Sequence, residues 1–228
     1  MGINNMYDKL KIGNRKTIFS PAIDSNGYLQ DKYGANGKSN NPTQFPSVSF
    51  ELEWEPIINA KSYAIIFEDF DACEVVGFPF IHWIVANIKT NKLIENQSYN
   101  DFKKWDKKSF YPNDILWQGH NSSVNKTLVA NNKENQNLSG ILPEGFTSQE
   151  DINSLMYFGP YPPNKEHLYS LTVYGLSDDA QNLEYITDFQ NNKKEKINKP
   201  FYAGDLLQAI NNKIVGSHTI LFKYKKAG

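Results

Sequence analysis

Apolar residues along this chain cluster in short runs broken by polar punctuation, and the runs carry the period of strands more often than that of helices. Val48, Phe50, Leu52 and Trp54 alternate with Ser49, Glu51, Glu53 and Glu55, which predicts a strand with one wet face. Ser62 to Phe67 is continuously apolar, as expected of a strand covered on both sides. His82 to Ile88, Tyr169 to Leu176 and Thr219 to Tyr224 read the same way, with Gly, Pro, Asn or Asp in the gaps. One regular helix is predicted near the end: Asp205 caps it, Leu206, Leu207, Ile210 and Ile214 form its apolar face, and Gly216 stops it. Many strands and few helices predict a mainly β, antiparallel protein.

Two stretches break this pattern. Residues 125–154 are polar and Asn-rich, and Thr147-Ser148-Gln149-Glu150 is a capping-box pattern ahead of Ile152, Leu155 and Met156. A surface insertion holding at most one short helix is expected there. Asn191 to Lys199 is rich in Lys and Asn and reads as a solvated linker. No internal repeat is present.

The length of 228 residues fits a single domain, 1–228, with enough chain to bury a substantial core. Aromatics make up 14% of it, which suits packing on a pleated surface. A formal charge of -1 argues against a nucleic-acid partner, which would call for a basic face. Arg15 is the only arginine, so any bound anion must be held by His, Tyr, Lys, backbone amides or a metal rather than by an arginine fork. Cys73 stands alone and can form no internal disulfide, the opening residues contain no apolar leader, and no run is long enough to span a membrane. Position 6, where a myristoylation signal wants Ser or Thr, is Met. The expectation is a cytoplasmic protein.

Titratable residues gather at the predicted strand ends. Asp69 and Asp71, one residue apart, close the Ser62 strand and would share a face if the extended conformation continued. His82 opens the next strand. Downstream, the stiff loop Gly159-Pro160-Tyr161-Pro162-Pro163 leads to His167 and Tyr169 at the mouth of another. Taken singly each has a plainer explanation: an Asp-x-Asp is usually a solvated turn, and a histidine in an apolar strand is usually a hydrogen-bonded core residue.

Taken together and in order, these segments resemble the phosphatidylethanolamine-binding protein family, in its bacterial Raf-kinase-inhibitor-like branch. Asp69-Phe70-Asp71-Ala72-Cys73 and Phe80-Ile81-His82-Trp83 stand for the family's Asp-Pro-Asp-Ala-Pro and the strand that follows it. Gly159 to Pro163 with His167-Leu168-Tyr169 stand for Gly-Pro-x-Pro-Pro and His-Arg-Tyr. Ser49 to Trp54 and Gly119-His120-Asn121-Ser122 are weaker matches, and the likeness runs from about Ile18 to Tyr224. Phe70 and Cys73 replace two prolines, Leu168 replaces an arginine, and Phe50-Glu51 replace a Pro-Pro pair.

The resemblance implies a β-sandwich with peripheral helices and a shallow ligand pocket built from Asp69, Asp71, His82, Tyr161, Pro162, Pro163, His167 and Tyr169. In it, His82 and His167 are expected as charged donors to an oxyanion, Asp69 as the orienter of a histidine, Tyr169 as a further donor, and the prolines as pocket wall. Asp71 is expected to hold backbone or face a ligand's cationic end. His120 would edge the same pocket, and His218 would start the last strand. A trans Asp69–Phe70 peptide with a local backbone shift is expected in place of the lost proline. The implied partner is a phosphate-containing small molecule or phospholipid headgroup, with a kinase or protease as protein partner and no cofactor. Several bacterial relatives are dimeric, which leaves a homodimer open. The rival reading is a metal-assisted phosphoester hydrolase using the same Asp and His residues.

Overall fold

A computed structural model of the chain describes residues 17–38, 41–43, 45–124 and 151–228. Its centre is a five-stranded antiparallel sheet. The strands are β3 (Ser62–Asp69), β4 (Phe80–Ile88), β6 (Trp117–Gly119), β7 (His167–Leu176) and β10 (Ile214–Tyr224), ordered β10-β7-β3-β4-β6. A three-stranded sheet of β1 (Ile18–Phe19), β2 (Leu52–Trp54) and β5 (Lys92–Leu93) lies on one face. Between the two sheets pack Leu52, Trp54, Ile65, Phe67, Trp83, Val85, Leu171 and Phe222.

The other face is covered by α3 (Ala203–Ile210), whose Leu206, Ala209 and Ile210 meet Ala64, Ile66, Ile84 and Ala86. Double coverage explains the uninterrupted apolar runs Tyr63–Phe67 of β3 and Trp83–Ala86 of β4. The remaining elements are peripheral: α1 (Cys73–Val76), α2 (Gln97–Lys104), and a hairpin of β8 (Glu184–Asp188) with β9 (Lys193–Lys196). The result is the expected mainly β sandwich with a few helices.

Several local expectations need correction. β7 and β10 are covered on one side only, and Ser170, Thr172 and Thr219 lie on the open face, so these strands alternate instead of being apolar throughout. The presumed linker at 191–199 contains β9, held by pairing to β8, a long-range partner that lysine-rich composition does not reveal. Asp205 does not precede its helix. It sits in the first turn and its Oδ2 accepts the Tyr202 amide at 2.8 Å, while Ile214 and Gly216 belong to β10. His218 lies within that strand and meets the Glu55 carbonyl at 3.0 Å. Ser49, expected on a wet face, is buried, and its hydroxyl accepts the Ser98 amide of α2.

Most of the expected insertion, 125–150, lies outside the described residues. Residues 151–154 form a single 3-10 turn, after which Leu155, Met156, Tyr157 and Phe158 enter the core. Among the described residues no helix is long and apolar enough to cross a membrane.

Candidate functional site

One end of the central sheet gathers the titratable residues, and the register shows how. Asp69 ends β3, opposite Phe80 of β4 and Tyr169 of β7. The odd-numbered residues of β3 and β7 face the inter-sheet core, so Asp69 and His167 turn the same way as Phe67 and Leu171. On β4 a register shift between Phe67 and Glu68 leaves His82 without a partner. An extra residue of this kind lets sequence neighbours share a face. His82 therefore joins Trp83 on the core side, with its ring 4.9 Å from that of Phe67 and 4.8 Å from that of Phe80.

After Asp69 the chain does not stay extended. Asp69 Oδ1 accepts the Ala72 amide at 3.0 Å, the Glu74 amide bonds to the Asp71 carbonyl, and α1 follows, ended by Gly77 at a left-handed φ of 84°. The Asp69–Phe70 peptide is trans. Asp71 is thereby carried away from Asp69, and its Oδ2 accepts the Leu168 amide at 2.8 Å. The shared carboxylate face expected from alternation fails because the strand stops at Asp69.

Asp69 Oδ2 meets His167 Nδ1 at 2.7 Å, with both side chains buried. The other nitrogen of His167, Nε2, lies 2.7 Å from Oδ1 of Asn164, an exposed residue just beyond the proline loop. An oxygen thus faces each ring nitrogen of His167. His82 is engaged differently. Its Nδ1 is 2.7 Å from the Phe158 carbonyl oxygen, an acceptor, so the proton resides on Nδ1. Burial pushes the pKa of His82 down to about 4, outweighing the opposite pull of Asp69 and the Phe158 carbonyl. At neutral pH the ring is uncharged, which corrects the expectation that His82 acts as a charged donor.

These groups line a cavity of about 30 Å³ together with Ala72, Val75, Val76, Phe80, Phe158, Tyr161 and Pro163. Such a volume admits a water or one small polar group, and little else. Of the expected site residues, the fold brings Asp69, His82, Tyr161, Pro163 and His167 to the cavity wall. Asp71, Pro162 and Tyr169 stand behind it. Pro162 is buried and its carbonyl accepts the Ala227 amide, while that of Pro160 accepts the Ala35 amide, so the loop is pinned on both sides. Tyr169 packs between Phe67 and Phe222. Its buried hydroxyl has no partner in hydrogen-bonding geometry, yet burial and the nearby Asp69 carboxylate push its pKa well above 10.

Gly159 is required by close approach: a Cβ there would lie 2.4 Å from the Tyr33 carbonyl oxygen. Asn121 holds the incoming segment through its Nδ2, which donates to the Met156 carbonyl at 2.8 Å. His120 does not edge this pocket. It faces the Ser154 hydroxyl and stacks on Tyr202, beside a separate groove that includes Trp105, Phe110 and Lys199. Sequence reasoning missed Asn164 and the apolar walls from α1 and Phe158. Asn164 could have been noticed from its place between the Pro-Pro step and His167; nothing local marks Phe158.

Comparison with known proteins bears on the family and the fold. Residues 19–225 match the family model described as phosphatidylethanolamine-binding protein. The chain is 31% identical over 182 residues to the uncharacterized protein YxkA of Bacillus subtilis, covering 77% of this chain and 90% of that one. Two solved structures share the fold. One is a putative phosphatidylethanolamine-binding protein homologue, CT736, from Chlamydia trachomatis (TM-score 0.55, 20% identity, 92% of this chain and 96% of that one). The other is YbcL of E. coli, described as a new member of the mammalian family (TM-score 0.55, 17% identity, 92% and 97%). With its ordered motifs, its sandwich and a match over most of its length, this chain belongs to the phosphatidylethanolamine-binding protein family.

Proposed function

We propose that this protein is a binding module for a small oxyanion-bearing ligand, a phosphate-containing metabolite or headgroup, seated in the Asp69–His82–His167 pocket. The carrying observation is the buried Asp69–His167 pair, which holds a histidine ring nitrogen at the cavity with only an exposed asparagine in front of it. The small cavity takes the terminal group of a ligand, and the apolar rim of Val75, Val76, Tyr161 and Pro163 would contact whatever is attached to it. The hydrolase reading loses Asp71, which is spent on the Leu168 amide instead of facing the cavity. The proposal covers the ligand; regulation of a kinase or protease rests on the resemblance alone.

Titrating inorganic phosphate into isotopically labelled protein tests this reading. Shifts concentrated on Asp69 to Ala72, His82 and Asn164 to Leu168 are expected, and saturation without any change in that group would refute it.

A further inference from the structure

Resting on that reading, we infer that the pocket selects an oxyanion that still carries a proton: a phosphomonoester or inorganic phosphate as its monoanion, over a fully ionised oxyanion or a phosphodiester. The argument starts from which polar atoms remain free. His82 has committed Nδ1 to the Phe158 carbonyl, the Gly159 backbone also acts on the ring, and among the described residues no side chain bonds to Nε2, although the ring lines the cavity. A histidine whose Nδ1 bears the proton offers a lone pair at Nε2, so this buried ring presents an acceptor.

Reversing the ring would require Phe158 to give up its bond, and that segment is fixed. The Phe158 amide donates to the His82 carbonyl at 2.9 Å and the Gly159 amide to Pro46 at 2.6 Å. The Asp69 oxygens already accept from Ala72 and His167, and any lone pair left on them is also an acceptor. The charged or titratable groups around His82 are Asp69 of β3, with His167 and Tyr169 of β7. The low pKa of His82 agrees with a ring that stays neutral among them.

His167 Nε2, which faces the Asn164 amide oxygen, is assigned the role of donor. It is now satisfied by Asn164 Oδ1, and because Asn164 is exposed its oxygen can be exchanged for one from a ligand. The pocket thus pairs one acceptor with one donor. A P–OH group beside a P–O⁻ group fits both, the hydroxyl donating to His82 Nε2 and the oxygen accepting from His167 Nε2. Sulfate would set a lone pair against the His82 lone pair and the Asp69 carboxylate. A phosphodiester has no proton to give at neutral pH, and an ammonium group cannot accept from His167.

Calorimetry on the whole chain with inorganic phosphate, phosphoethanolamine, sulfate, dimethyl phosphate and methylammonium tests the inference. At about pH 5.5 the first two should bind at least about tenfold tighter than sulfate or dimethyl phosphate. That margin should shrink by about pH 8, because the second proton of a phosphomonoester leaves near ~6. His82→Gln, whose amide both donates and accepts, should bring sulfate to within about threefold of phosphate. Sulfate or dimethyl phosphate binding as tightly as phosphate to the unaltered protein would overturn the inference while leaving the oxyanion pocket standing. Binding of methylammonium alone, or of none of the anions, would overturn the oxyanion reading as well. The wild-type comparison decides the matter even if the variant fails to fold.

Discussion

Asp69 Oδ2 and His167 Nδ1 lie 2.7 Å apart, contributed by the end of one buried strand and the start of its neighbour. Because both side chains are almost fully buried, the pair has given up its water, and neither partner tolerates the loss of the other. Asp69→Ala should therefore destabilise the protein by about 3–5 kcal/mol. Urea unfolding with an unchanged midpoint would contradict this account of the pair.

His82 makes stability depend on pH in a defined direction. The native ring stays neutral down to about pH 4, whereas the unfolded ring takes up its proton near ~6.5. Between those values the unfolded state binds more protons, so the stability present above pH ~6.5 falls as pH drops toward about 4, by on the order of 3 kcal/mol in total. Carboxylates titrate in part of the same range. The difference between the wild type and His82→Asn, measured by denaturation across it, should isolate the histidine contribution; parallel curves would remove it.

Asp71 is assigned to the backbone and not to the ligand. Asp71→Ala leaves the Leu168 amide without its acceptor and should cost about 1–3 kcal/mol of stability. Phosphate affinity, measured where the variant is folded, should change by less than about twofold. A large loss of affinity at unchanged stability would return Asp71 to the site.

Under the proposed function, Asn164, which faces His167 Nε2, is a competitor of the ligand for that nitrogen. Removing that competitor in Asn164→Ala should tighten phosphate binding by the worth of a hydrogen bond, about 0.5–1.5 kcal/mol or roughly two- to tenfold. Weaker binding in this variant would show that Asn164 helps hold the ligand.

Much of this architecture was legible in the amino-acid order, because burial on two faces leaves a mark that periodicity records. Tyr63 to Phe67 and Trp83 to Ala86 are apolar throughout and lie in the strands covered on both sides. Chemistry at strand ends was legible too, since Asp69, His82 and His167 stand at the edges of those runs. What stayed hidden depends on partners distant in sequence. The β8–β9 hairpin is made by pairing, not composition. The end of β3 at Asp69 follows from the Ala72 amide turning back to its carboxylate, which separates Asp71 from the pocket. The protonation of His82 is set by Phe158, 76 residues away, and no spacing rule connects them.

The most direct test of the pocket is a crystal structure of the protein with inorganic phosphate. One phosphate oxygen should lie within hydrogen-bonding distance of His82 Nε2 and another in the place of Asn164 Oδ1 at His167 Nε2, with the Asp69–His167 pair intact. Phosphate bound elsewhere, or a saturated crystal in which Asn164 still faces His167 and the cavity holds only water, would contradict the account.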